Sequence, residues 1–259
     1  MSMVLIEQRG AVTILTLNNP AQYNALGGSL LSDLNRALDA AIADPAVRAI
    51  MLTGAGRGFC AGAQLGGGNT FEAGGKIGDN MRASINPVIE KMRGSGKPIV
   101  VAMNGPAAGA GVGVALAGDI VIAARSARFI LSFVRLGAAL DGGTSLFLQR
   151  SIGVARARAL ALLGEPLAAE TAEKWGLIWK VVDDECLLDE ALAVAQKLAE
   201  GPPISIGLIK GQIESAWHSS LASTLDDEAS SQARAFVTED LREGAAAFVQ
   251  KRSARFTGR

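Results

Sequence analysis

Two cysteines, Cys60 and Cys186, and one histidine, His218, are all that a chain of 259 residues offers of its commonest nucleophilic and metal-binding side chains. The cysteines stand far apart with no Cys-x-x-Cys spacing, which indicates neither a disulfide framework nor a thiolate metal site and fits a reducing, cytoplasmic setting. No Gly-x-Ser-x-Gly elbow occurs and His218 lies late in the chain, so a Ser-His hydrolase has no footing and no metal site is expected. Charge of either sign is not in excess: 25 Lys+Arg face 25 Asp+Glu, which removes the field a nucleic-acid binder uses. Only the terminal "KRSARFTGR" gathers Lys251, Arg252, Arg255 and Arg259. The longest apolar run, residues 99–117, is interrupted by Asn104, Gly105 and Pro106, so no membrane span is expected. The opening "MSMVLIEQRG" lacks a basic region and reaches Glu7 too soon for a signal peptide.

Glycine is abundant, with 31 residues, and 49% of the chain is hydrophobic, enough for a large core. The glycines do not complete a nucleotide motif. "GAGRG" at 54–58 and "GAGVG" at 109–113 stop short of Gly-x-Gly-x-x-Gly, and "GSGK" at 94–97 lacks the first glycine of a P-loop. Periodicity predicts strands over 4–9 and 11–17 about a turn at Arg9-Gly10, a helix over 29–43 and a buried strand over 47–54. A loop over 66–78 precedes a helix over 81–93. Strand 97–105, helix 107–117 and strand 119–124 follow, then helices over 144–164 and 168–175. Asp183, Asp184 and Glu185 read as a solvated turn and helix start. Beyond them the pattern is helical, over 187–199, 203–217 and 221–252. The alternation predicts an α/β core over residues 1–200 and a helical region over 201–259, packed on a neighbouring subunit or back on its own core.

Two stretches place small residues directly after apolar runs, "GFCAGAQL" at 58–65 and "NGPAAGAGVGVALAGD" at 104–119. A strand end running into a helix start leaves N–H groups unpaired, and glycine neighbours let a ligand oxygen reach the main chain. Ala63 and Ala110 occupy two such places. Converging N–H groups form an oxyanion hole, in which each donor contributes about 3 kcal/mol to the transition state. Tight packing of helix on sheet would call for the same small residues, and spacing leaves both readings open.

These stretches, with "LGAALDGGTSLFLQR", "ALLGEPLAAETAEKWGLIWKVVDDE" and "REGAAAFVQKRSARFTG", carry a resemblance that runs through practically the whole chain in order. The chain resembles the crotonase (enoyl-CoA hydratase/isomerase) superfamily, and within it the branch of phenylacetate-pathway ring-epoxide isomerases. The resemblance implies a crotonase-like spiral of ββα repeats with a C-terminal helical trimerisation region, assembled as a homotrimer or homohexamer. It implies an acyl-CoA thioester as substrate and no further cofactor, with Ala63 and Ala110 as the backbone donors to the thioester oxygen. Gly113 and Phe133 stand where hydratases of the family carry two glutamates. Asp141 matches the aspartate that isomerases place beside the enolate. The same residue suits an N-cap of the helix starting at 142–145, and the two roles are compatible. Apolar Phe133, Leu136 and Leu140 would raise its pKa. The resemblance thus favours an isomerase over a 2-enoyl-CoA hydratase of β-oxidation or a non-catalytic acyl-CoA-binding member. Asn19 and Ala21 replace basic residues common among relatives, so the CoA contacts implied are Ala21, Gln22, Tyr23 and Ala25, with Ala61, Gln64 and Leu65 alongside. Phe248 and Lys251 from a neighbouring subunit would meet adenine and phosphate. The loop over 66–78 and the helix after it are expected to shape the acyl pocket.

Overall fold

A computed structural model describes residues 2–64 and 74–259 of the chain. β1 (Val4–Arg9) and β2 (Val12–Leu17) form the expected antiparallel hairpin. α1 (Leu30–Ala43) follows and buries Leu30, Leu34 and Leu38, the stripe that a helical period places on one face. β3 (Ala49–Gly54) returns parallel to β2. α2 (Ile77–Ala83) and α3 (Ile85–Gly94) lead to β4 (Ile99–Met103), β5 (Ala107–Ala108) and α4 (Ala110–Leu116). After these come β6 (Ile120–Ala124), β7 (Arg128–Ile130), α5 (Thr144–Leu163), β8 (Leu167–Ala168), α6 (Ala169–Trp175) and β9 (Lys180–Val182). α7 (Leu187–Ala199), α8 (Pro203–Ala216), α9 (Leu221–Phe236) and α10 (Glu239–Gln250) complete the chain.

The strands build two sheets. One has the order β1-β2-β3-β4-β6-β9 and is parallel beyond the first hairpin; the other has the order β5-β7-β8. The units β4–β5–α4 and β6–β7–α5 each put one strand in either sheet before a helix, so the mixed α/β chain advances as a spiral of strand, strand and helix. β4 is buried throughout, which its unbroken apolar run requires, and α7 packs on β3, β4 and β6.

Several sequence expectations are corrected. The second sheet was not legible, because strands of two or three residues are too short to show alternation. Residues 107–108 are extended rather than helical, since they pair with β7 before Gly109 turns the chain at φ 51. The helix expected over 81–93 is two, broken at Ser84, and the one expected over 221–252 breaks before α10, where the Thr238 side chain caps Leu241 N–H at 3.1 Å. α5 is interrupted at Gly153, with φ 78 and ψ 161. Leu65 and residues 66–73 of the expected loop lie outside the described residues, and Gly74–Lys76 form a 3-10 turn. Among the described residues no helix is long and apolar enough to cross a membrane.

A part-buried ion pair ties α8 to the sheet. Asp119, just before β6, accepts from Ile99 N–H and from Lys210 Nζ, both at 2.8 Å, and Lys210 also donates to the Met92 carbonyl at 2.7 Å. Burial drives the Asp119 carboxyl up and the Lys210 ammonium down, each against the attraction of the other. Lys210→Ala strands a part-buried carboxylate and is expected to destabilise the fold by about 3 kcal/mol in denaturant unfolding, whereas adding Asp119→Asn recovers a large part of that loss.

Candidate active site

Pro20–Gln22 form one 3-10 turn, after which Tyr23 and Asn24 take left-handed φ values of 49 and 55. Such angles are uncommon without glycine, and here hydrogen bonds hold them. The wholly buried Asn24 shares its Nδ2 hydrogens among Gly58 O at 2.8 Å, Ala55 O at 3.0 Å and Phe59 O at 3.1 Å, while its Oδ1 accepts from Asn19 N–H at 2.8 Å. Ala61 N–H donates to Tyr23 O at 2.8 Å and Leu26 N–H to Gly62 O at 2.7 Å. Asn104 adds a second tie, accepting from Gly54 N–H and donating to Gly56 O, both at 3.0 Å. Residues 19–27 and 54–64 are thereby laced into one unit. Cys60 sits inside it, donating to Asn24 O, and burial pushes its thiol up to about 12, so it stays protonated and inert.

That unit lies directly on the start of α4. An ideal Cβ at Gly62, whose φ is 78, would stand 3.2 Å from Ala110 N and closer still to Ala108 O. One at Gly111 would stand 2.9 Å from Cys60 Cβ and closer to Cys60 O. Only glycine permits these approaches, and they bring Gly62-Ala63 against Gly109-Ala110. Ala110 is the first residue of α4 and Ala63 bridges to Leu26. Among the described residues neither N–H donates a hydrogen bond. The helix start expected after Ala63 lies outside the described residues.

The turn that bears Asp141 also packs on the start of α4. An ideal Cβ at Gly142 would stand 3.4 Å from Ala110 O and 3.7 Å from Ala110 Cα. The Asp141 side chain does not cap α5. The cap position belongs to Gly143 with no side-chain bond, and Thr144 N–H and Oγ1 both donate to the Asp141 backbone carbonyl, at 3.0 and 2.8 Å. Its Oδ1 is buried with no hydrogen-bond partner among the described residues, and burial pushes the carboxyl up to about 6. Of the apolar residues expected around it, Phe133 is buried against Gly109 and Leu140 half-buried against the core, but Leu136 is 59% exposed and encloses nothing. A side chain at Gly113 would displace the 141–143 turn, since even a Cβ would lie 2.8 Å from Gly142 C, and Phe133 is apolar. Neither position supplies a second carboxylate.

The structure therefore brings Ala63, Ala110 and Asp141 together, with Ala21, Gln22, Tyr23 and Ala61 exposed beside them, Ala25 buried beneath, and the Gln64 side chain folded over Gly27. Phe248, 85% exposed, and Lys251, at the left-handed end of α10, join this site by no hydrogen bond or ion pair among the described residues. Two contributors escaped sequence reading. Asn24 is one, and its signal was an asparagine after a proline turn. The other is Arg57, exposed within "GAGRG", which lies 5.7 Å over the Tyr23 ring and donates to Tyr23 Oη at 3.1 Å. Once that glycine run failed as a nucleotide motif, its arginine carried no further signal.

The enoyl-CoA hydratase/isomerase family profile matches residues 7–259. The chain is 44% identical over 261 residues to the 1,2-epoxyphenylacetyl-CoA isomerase of Escherichia coli K12, covering 100% of both. It is 34% identical over 263 residues to the 2,3-dehydroadipyl-CoA hydratase of the same strain, again covering 100% of both. Among solved structures, an enoyl-CoA hydratase from Polaromonas sp. JS666 superposes with a TM-score of 0.91 at 34% identity, covering 98% of this chain and 99% of that one.

A carboxyl held near 6 against an ordinary 3.8 weakens the fold once it ionises. The folded form then binds the proton more tightly than the unfolded form, so stability falls as pH rises from about 4 through about 6. Asp141→Asn is accordingly expected to raise unfolding stability by about 2 kcal/mol at pH 8 and to leave it nearly unchanged at pH 4, measured by urea titration at the two pH values.

Proposed function

We propose that this chain, which belongs to the enoyl-CoA hydratase/isomerase family, is an acyl-CoA isomerase that moves a proton with the Asp141 carboxylate. The observation that carries this reading is the buried oxygen of Asp141, without a partner among the described residues, beside the helix that presents Ala110 N–H. Ala63 and Ala110 N–H groups would receive the thioester oxygen. With a 3-enoyl-CoA, Asp141 takes a proton from C2, the electron pair moves onto the thioester oxygen as a dienolate, and the two N–H groups hold that charge. Asp141 then returns the proton at C4, leaving the double bond between C2 and C3. Nothing is added or lost, so one carboxylate suffices and water is not required. A pKa of about 6 suits both halves: the group is ionised at neutral pH yet basic enough to take a carbon-bound proton.

The full-length similarity to a 1,2-epoxyphenylacetyl-CoA isomerase supports an aryl ring-epoxide CoA thioester as physiological substrate, within phenylacetate catabolism in the cytoplasm. The apolar Phe133 ring against Gly109 supports the same choice. Similarity to a hydratase favours 2-enoyl-CoA hydration as the second reading, with Asp141 activating a water. CoA itself would be the only cofactor-like group, carried on the substrate, along residues 21–25 and 61–64. Arg57 supplies the cation there that Asn19 and Ala21 do not. A homotrimer or homohexamer built through residues 201–259 accounts for Leu221, Phe236, Val237, Phe248 and Val249 lying exposed, and would deliver Phe248 and Lys251 to a neighbour's CoA.

Incubation with 3-enoyl-CoA is expected to build the ultraviolet band of the conjugated thioester, with kcat/KM rising with pH through about 6. Asp141→Asn should lower kcat by about 1,000-fold while CoA-ester binding persists. Loss of the band from 2-enoyl-CoA instead would assign the protein to hydration, and stoichiometric binding without turnover to a non-catalytic role. Arg57→Gln is expected to raise KM for CoA thioesters about tenfold with kcat unchanged, as loss of one exposed charge-assisted bond requires, and to leave pantetheine thioesters unaffected.

A further inference from the structure

The turn bearing Asp141 rests on α4 without side chains between them. An ideal Cβ at Gly113 would stand 2.8 Å from Gly142 C and 2.9 Å from Gly142 Cα, and closer still to Gly142 O. All three neighbours are main chain and cannot swing aside. Seen from the other strand of the contact, a Cβ at Gly142 would lie 3.5 Å from Gly113 Cα. Gly142 and Gly143 take left-handed φ values of 56 and 77, so the turn is sharp and its height above α4 is set by what lies beneath. Thr144, fully buried, fastens the far side through its N–H and Oγ1 to the Asp141 carbonyl. Seven residues form α4, all buried, and glycine in such a helix is otherwise unfavourable.

We infer that Gly113 is a positioning residue for the proposed proton transfer: its missing side chain lets the 141–143 turn sit down on α4, which holds the Asp141 carboxyl in its dry place by the first turn of that helix. A methyl at 113 lifts the turn, carries the carboxyl toward water and leaves the two N–H donors where they are. The inference rests on Asp141 as the acid and base. Among the described residues α4 carries no charged group, Lys91 on α3 pairs with Asp39, Arg93 on α3 and Arg150 on α5 pair with Glu214, and the Asp141 carboxyl is raised by burial.

The test is a carbon-13 titration of the Asp141 carboxyl in the full chain, run beside steady-state kinetics. The unsubstituted protein should titrate at about 6. In Gly113→Ala the midpoint should fall toward the ordinary carboxylate range, kcat should drop about 100-fold and acyl-CoA affinity should hold, as displacement of a positioned group by about 1 Å implies. Asp141→Glu in the Gly113→Ala background should regain part of the turnover, because the longer side chain reaches back. Thr144→Val, which cuts only the hydroxyl tie, should move the midpoint in the same direction by less. A folded Gly113→Ala protein with its midpoint and kcat unchanged overturns the inference. Should that variant not fold, an unmoved midpoint in Thr144→Val overturns it. The titration needs no turnover, so a protein inactive on every acyl-CoA defeats the isomerase reading while this positioning is judged separately.

Discussion

Main chain meeting main chain, with no side chain between, is the constraint on which the rest of this site depends. Residues 58–62, 105–113 and 141–143 approach one another at Gly62, Gly111 and Gly113, where a single carbon would overlap a neighbouring carbonyl. The Ala63 and Ala110 N–H groups, which have no acceptor among the described residues, come together only because those segments do. The sheets supply the frame: β4 ends just below Asn104, and the short second sheet turns the chain back so that α4 starts beside the end of the β3 loop. The apolar core thus acts on chemistry through backbone placement more than through any side chain it buries.

Against that frame the side-chain chemistry is sparse. Asn24 and Asn104 spend their amides on backbone carbonyls and hold two loops in register. Asp141 has a buried oxygen with no partner among the described residues, and such an acid is a liability for folding. Proteins retain such strain where a proton has to move, because the burial that disfavours the charge also raises basicity. Cys60, buried more completely than Asp141 and a few residues from Ala63, shows the contrast: its hydrogen bond and high pKa keep it silent.

The α/β class, the first hairpin and the central strands were legible because their periodicity is local. The candidate donors were legible too, since small residues after an apolar run are a local signal, and the resemblance supplied Asp141. What stayed hidden is what only distance in space reveals. The pairing of Ala107–Ala108 with β7, the hub at Asn24, the stacking of Arg57 on Tyr23 and the seat of Gly142 on Gly113 join residues from 29 to 35 positions apart or come from strands too short to announce themselves. The break before α10 was locally encoded by Thr238, but the apolar spacing on either side masked it.

The packing of Gly142 on Gly113 also bears on how such a protein can change its trade over generations. A larger residue at 113 cannot arrive first, since it would collide with a turn already in place. The turn has to lengthen or move before the helix can gain a side chain. Chemistry that needs a side chain at 113 is thus reached only by changes in an order the backbone sets, the turn first and the helix after it.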